Sequence, residues 1–349
     1  MKKLLTTILV ALLALSLFAG GSAESKSEPK DEKIKLGTLA SVYGTASFND
    51  DILDGILQVC EKYGLEESHI EVPDVADVEN AIRTLILEGC NFIIAGSADQ
   101  KEGLISAAEN YPNVKFLYLA DKLDEGYPNL VGTQYAEQQG AFLCGALAAM
   151  LSETHNIGAV AAIQGDTVQE RYAWGFSAGA LYAVKGTTVQ RGFTNSYADI
   201  NKGNEFATAM YKKGADIVSC FAGACNLGVF NAAISMDKLC FGAAKGQFDK
   251  APNNIIASLV KPVDQTVVAV VSDYIDNGNF DTSTSMVLGV ANDGVICKYT
   301  DMNETLRAKI TPEMDAKIQS LKADIISGKI VVPSSEAEYN EFVKQYGLI

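Results

Sequence analysis

Histidine is nearly absent from this chain, with two in 349 residues, and there is one tryptophan. His69 lies in "EESHIEV", ahead of a predicted strand, and His155 in "SETHNIG", a helix-to-strand turn. Both read as surface connector residues, which leaves little for acid–base or metal chemistry. No HExxH, GxSxG or Walker pattern occurs, and the first strand-to-helix turn lacks GxGxxG. Gly223 and Gly228 in "AGACNLGV" have GxxxxG spacing, but Val229 stands where a phosphate-binding lysine is needed. Basic residues are also short, with 28 Lys and Arg against 43 Asp and Glu, for a net charge of −15. The imbalance deepens once residues 1–23 are set aside, since they hold Lys2, Lys3 and no acid. So acidic a surface repels phosphate backbones and argues against nucleic acid as a partner.

The seven cysteines form no CxxC pair. Most stand in apolar runs such as "FLCGALAAM" and "KLCFGAA", where cysteine behaves as a small buried hydrophobe. Cys220 and Cys225 are five apart with no metal-ligand set around them, and whether they pair is left open. Beyond the N-terminus no run is long enough to span a membrane. The start itself reads as a signal peptide over residues 1–23: a basic "MKK", the 16-residue apolar run "LLTTILVALLALSLFA", then "GGSAES". Residues 24–33 read as a charged linker. The mature protein is therefore expected outside the cytoplasmic membrane.

What the sequence does contain is alternation. Nine short apolar runs read as strands: "KIKLGTLA", "NFIIAGS", "VKFLYLAD", "NLVGTQY", "NIGAVAAI", "TTVQRGFT", "DIVSCFAG", "LCFGAA" and "IIASLVK". Helical stretches such as "DILDGILQVCEKYG" and "NKGNEFATAMYKKG" separate them, which predicts parallel sheets covered on both faces. The pattern runs twice, over about 34–133 and 155–256, and "AEQQGAFLCGALAAMLSET" lies between with small residues suited to close helix packing. The fold class is α/β with two lobes. Residues 34–133 plus about 257–285 are assigned to lobe 1 and 134–256 to lobe 2, while 286–349 are assigned to neither. "SMVLGVANDGVICKYT" is read as a hairpin and the stretch around 312–328 as a helix.

Ligands of such sheets bind outside the strands' C-terminal ends. Candidates placed there are Tyr43, Phe48 and Asn49 in "SVYGTASFND", Asp121, Trp174 in "QERYAWGF", Tyr197 in "SYAD", Gly223, Gln247 and Lys261. Aromatic rings with amides and charges suit a small polar aromatic ligand. Phe48 and Trp174 read equally as core, and Asp199 reads as a helix N-cap rather than a ligand contact.

Taken in order, "SFND", "QQGAFLCGALAAML", "GFSAGA", "SYADINKGNEFA", "KKGADIV", "FAGACNLGV" and "IIASLVKPVD" resemble the basic membrane lipoprotein (PnrA-like) family over nearly all of residues 34–300. These are extracytoplasmic solute-binding proteins of ABC importers, some of which bind purine nucleosides. The resemblance implies the type I periplasmic-binding-protein fold, with two Rossmann-like lobes closing on a ligand cleft. It implies no cofactor, no catalysis and a membrane permease as partner. It also implies that Asn49 reaches a polar ligand group, that Tyr197 stacks on a base, that Gly223 forms a binding loop and that Lys261 meets ligand hydroxyls. Two departures stand out. An aspartate that the family uses to grip ribose is Ala244 here, which favours a free nucleobase or another solute over a nucleoside, with Tyr43 or Lys245 as conceivable substitutes. The cysteine of the family's lipid-attachment motif is Gly21. A sensor of another small solute and a secreted α/β enzyme are the competing readings.

Overall fold

The computed structural model describes residues 33–283 and 285–348. The signal peptide and nearly all of the charged linker lie outside the described residues. Two six-stranded sheets carry the architecture. All nine predicted strands form, as β1 (Lys35–Ala40), β3 (Phe92–Ala95), β4 (Lys115–Tyr118), β5 (Leu130–Tyr135), β6 (Asn156–Ala161), β7 (Thr188–Phe193), β8 (Ile217–Phe221), β9 (Leu239–Gly242) and β10 (Ile255–Val260). The two strands read as a hairpin form as β11 (Met286–Leu288) and β12 (Ile296–Lys298), and one more appears, β2 (Glu66–Glu71). The first sheet runs β11-β5-β4-β3-β1-β2 and the second β12-β10-β9-β8-β6-β7. Every pairing is parallel except β12 on β10. Both sheets reverse strand order at their first strand, β1 or β6, and a crevice opens at such a reversal.

His69 is not a connector. It lies within β2, where it pairs in register with Thr38 of β1. The predicted hairpin does not form either, because β11 joins the first sheet beside β5 and β12 joins the second beside β10. The chain thus passes between lobes three times: after β5, after β10 and between β11 and β12. The return expected near 257 falls inside β10, which pairs with β9, so it comes instead at Lys261 and Pro262.

The helices that position the site are α1 (Phe48–Tyr63), α4 (Glu137–Leu151), α5 (Thr167–Ala183), α6 (Ile200–Lys212), α7 (Cys225–Met236) and α8 (Val263–Asn277). Between α1 and α4 run α2 (Val78–Leu87) and α3 (Lys101–Asn110). After α8 come the short α9 (Glu304–Arg307), α10 (Pro312–Ile326) and α11 (Glu336–Gln345). The small residues noted in α4 have the expected use. A Cβ on Gly145 would lie 2.0 Å from the Phe176 carbonyl of α5, and one on Gly179 of α5 would lie 1.9 Å from the Phe142 carbonyl. The two helices therefore touch backbone to backbone, and α4 is buried along almost its whole length. All seven thiols are free, with only Cys60 partly exposed. Among the described residues no helix is long and apolar enough to cross a membrane, and no group of His, Cys, Asp or Glu could hold a metal ion.

Candidate ligand cleft

The opening loop is built by one carboxylate. Asp50, in the first turn of α1, accepts hydrogen bonds from the backbone N–H groups of Gly44 (2.6 Å), Thr45 (3.0 Å) and Ser47 (2.9 Å). That fixes an irregular turn in which Gly44 has φ +78° and Ala46 has φ +52°, conformations glycine adopts without the Cβ penalty that Ala46 incurs. The turn delivers Phe48 and Asn49 at the helix start. The opposite lobe uses helix caps. Asp166 accepts from Val168 N and Gln169 N to start α5, and Asp199 accepts from Asn201 N and Lys202 N to start α6. Asp199 is therefore the cap that the sequence suggests.

A cavity of about 780 Å³, counting its open mouth, lies between the C-terminal ends of the two sheets. Phe48, Asn49, Tyr197, Gly223, Gln247 and Lys261 all line it, so six of the nine sequence candidates come together. Phe48 enters from the first lobe, while Tyr172, Tyr197 and Phe221 enter from the second. Burial pushes the Tyr197 phenol well above the usual tyrosine range, and its hydroxyl donates to Asp166 across 3.5 Å. Gly223 has φ +59°, and a Cβ there would approach the Tyr197 carbonyl to 2.9 Å, so this loop has no room for a side chain.

Three candidates stand elsewhere. The Tyr43 ring turns back onto β2, edge-on to His69 at 5.3 Å, because its backbone N–H is held by Glu71. Trp174 lies on another face of α5, with Arg191 4.3 Å over its ring and Tyr339 of α11 beside it. Asp121 reaches the lobe boundary but is committed there, accepting from Thr167 Oγ1 at 3.0 Å and from Arg171 at 3.4 Å. Lys245 does not stand in for the missing aspartate. It bridges the lobes instead, 2.7 Å from both Asp54 of α1 and Asp264 of α8. Burial alone would lower its pKa, yet the two carboxylates win and push it up to about 12. Ala244 is buried with its backbone bonded to Ser258, and it is not part of the cavity wall.

Lys261 closes the floor of the cavity. Its ammonium lies 4.1 Å from the centre of the Phe48 ring and 5.0 Å from that of Tyr135, the distance at which a cation is attracted to an aromatic face. Nζ also donates to Glu137 Oε1 at 3.1 Å, and Arg171 Nε donates to the other oxygen of Glu137 at 2.8 Å. Glu137 is fully buried and spends both oxygens on these two cations. It starts α4 just after β5, and Lys261 follows β10, so the pair ties together two of the three passages between lobes.

The candidates missed by sequence reading, Gln169 and Asn226, are amides like the expected Gln247. All three line the cavity while their side-chain oxygen accepts the backbone N–H just past a strand end: Ala162 after β6, Ala222 after β8 and Ala243 after β9. The last two share a spacing of four residues that the sequence does display.

The model of the ABC transporter substrate-binding protein PnrA-like family matches residues 37–336. "Basic membrane protein A1" of Borrelia garinii subsp. bavariensis is 31% identical over 99% of this chain and 100% of its own length. "Basic membrane protein A" of Borreliella burgdorferi is 29% identical over 99% of each. Among solved structures, the ABC transporter solute-binding protein of Aeropyrum pernix K1 superposes with a TM-score of 0.79 at 22% identity, over 90% of this chain and 97% of that one. With ordered strand ends, a cavity between two like sheets and a match across most of its length, this chain belongs to the family of PnrA-like ABC transporter substrate-binding proteins.

Proposed function

We propose that the protein is an extracytoplasmic receptor that delivers a purine-type solute, a nucleoside or nucleobase, to a membrane permease of an ABC importer. The observation carrying this reading is the cavity itself, where aromatic faces from both lobes and amide groups at the strand ends surround a space suited to a flat polar ring. The free base is favoured over the nucleoside, because no carboxylate lines the cavity among the described residues and ribose hydroxyls would lack that acceptor. Thermal unfolding against nucleosides, nucleobases, sugars and amino acids tests it. A purine present at 100 times its dissociation constant stabilises the folded state by about 2.7 kcal/mol, which raises Tm by several degrees in a protein this size. A shift with sugars or amino acids alone would remove the purine assignment.

A further inference from the structure

The amides at the strand ends have a polarity that can be read atom by atom. A carboxamide offers one oxygen that accepts and one NH2 that donates. In Gln169, Asn226 and Gln247 the oxygen is already taken by a backbone N–H, at 2.7, 2.8 and 2.8 Å respectively. The backbone thus settles which way each amide faces, with the oxygen toward the strand end and the NH2 away from it. In the first lobe Gln100 caps its strand end in the same way, accepting from Gly96 N and Ser97 N, but its NH2 is spent on the Leu39 carbonyl at 3.1 Å. Gln247 has no such outlet: it is 1% exposed, lines the cavity, and its Nε2 has no hydrogen-bond partner. A buried donor left without an acceptor is costly, so a ligand that supplies one has a place to bind. Lys261 adds donors of the same polarity beyond the one it gives Glu137, and among the described residues no carboxylate lines the wall.

Resting on the purine reading above, we infer that the cavity selects rings bearing oxo groups over rings bearing exocyclic amines, with Gln247 Nε2 as the donor that reads an exocyclic oxo oxygen. A 6-oxopurine presents an acceptor there. A 6-aminopurine presents a donor, which faces Nε2 donor to donor and leaves both unpaired.

Calorimetric titration of the full-length protein with hypoxanthine, xanthine and adenine tests this. Hypoxanthine or xanthine is expected to bind roughly tenfold or more tightly than adenine. Gln247→Glu keeps the oxygen that holds Ala243 N–H and replaces the NH2 by an acceptor, so the oxo-to-amino ratio should collapse or invert. Asn226→Asp makes the same exchange at a second strand end and serves if the first variant does not fold. Adenine binding wild type as tightly as hypoxanthine would overturn the inference while the purine receptor stands. A wild-type ratio retained by Gln247→Glu would overturn the role of Gln247. If no purine binds, the purine reading falls and takes this inference with it.

Discussion

At the scale of single residues, the most consequential group is Glu137. One buried carboxylate holds two buried cations, Arg171 and Lys261, and desolvated charges tolerate the loss of a partner poorly. Glu137→Ala should cost about 3–5 kcal/mol in unfolding free energy, because the Lys261 ammonium stays buried without its carboxylate and the Arg171 guanidinium keeps only the longer contact to Asp121. Denaturant unfolding measures this directly. Pairing the change with Lys261→Met should recover part of the loss, since the second substitution removes one stranded charge. A Glu137→Ala protein as stable as wild type would mean that water or Asp121 already screens the pair. None of this was legible in the sequence. Glu137 and Lys261 are 124 positions apart, and only the fold brings the starts of two inter-lobe passages together. Phe48, Asn49 and Lys261 were legible as candidates because strand ends mark the crevice. Trp174 was misplaced because position along a helix, not proximity to a strand, decides which face a ring takes.

Among the elements, α4 and α5 show how small residues set geometry. Their glycines bring carbonyls to distances that no Cβ can share, and the obstruction at Gly179 is backbone, so no rotamer change relieves it. Gly179→Ala should gain about 1 kcal/mol in helix propensity but force the helices apart, a net loss of about 2 kcal/mol or more. A thermal melt of the variant reads the sign, and an unchanged or higher Tm would show that the pair can slide without cost. The glycine and alanine run of α4 made this contact visible beforehand. Two elements misled for opposite reasons. β2 reads "EESHIE", too polar to suggest a strand, because it is an outer strand whose side chains are largely exposed. β11 and β12 look like a hairpin because two β-rich runs flank "NDG", a strong local turn signal. Local chemistry gave the strands correctly but could not say that each had a vacancy waiting in a different sheet.

At the scale of the whole molecule, the two lobes meet through charge as well as through the cavity. Lys245 from the second lobe reaches Asp54 and Asp264 of the first, and buried Asp51 of α1 lies in the same field. Burial, together with Asp264, Asp54 and Asp50 and against the pull of Lys245, raises Asp51 from its ordinary 3.8 to about 7. Its folded pKa therefore lies above its unfolded one, and folding takes up a proton. The associated stability is complete below about pH 4 and is lost as pH rises through 7. Asp51→Asn mimics the protonated form, so its Tm should fall less than that of wild type between pH 5 and pH 8. Parallel curves for the two proteins would place the titration elsewhere. The double alternation of strands and helices had announced two lobes, yet not this junction, because carboxylates spaced along α1 and α8 find their lysine only through tertiary structure.

The place of Trp174 decides how this protein can be watched. As the chain's one tryptophan, it is the source of tryptophan emission, and it is packed under α11 against Arg191 and Tyr339 rather than in the cavity wall. Its emission should follow the docking of the C-terminal helix and change little when the cavity fills. An optical signal for binding is better sought from Tyr172 and Tyr197 in the cavity wall or from a dye attached at the cleft rim.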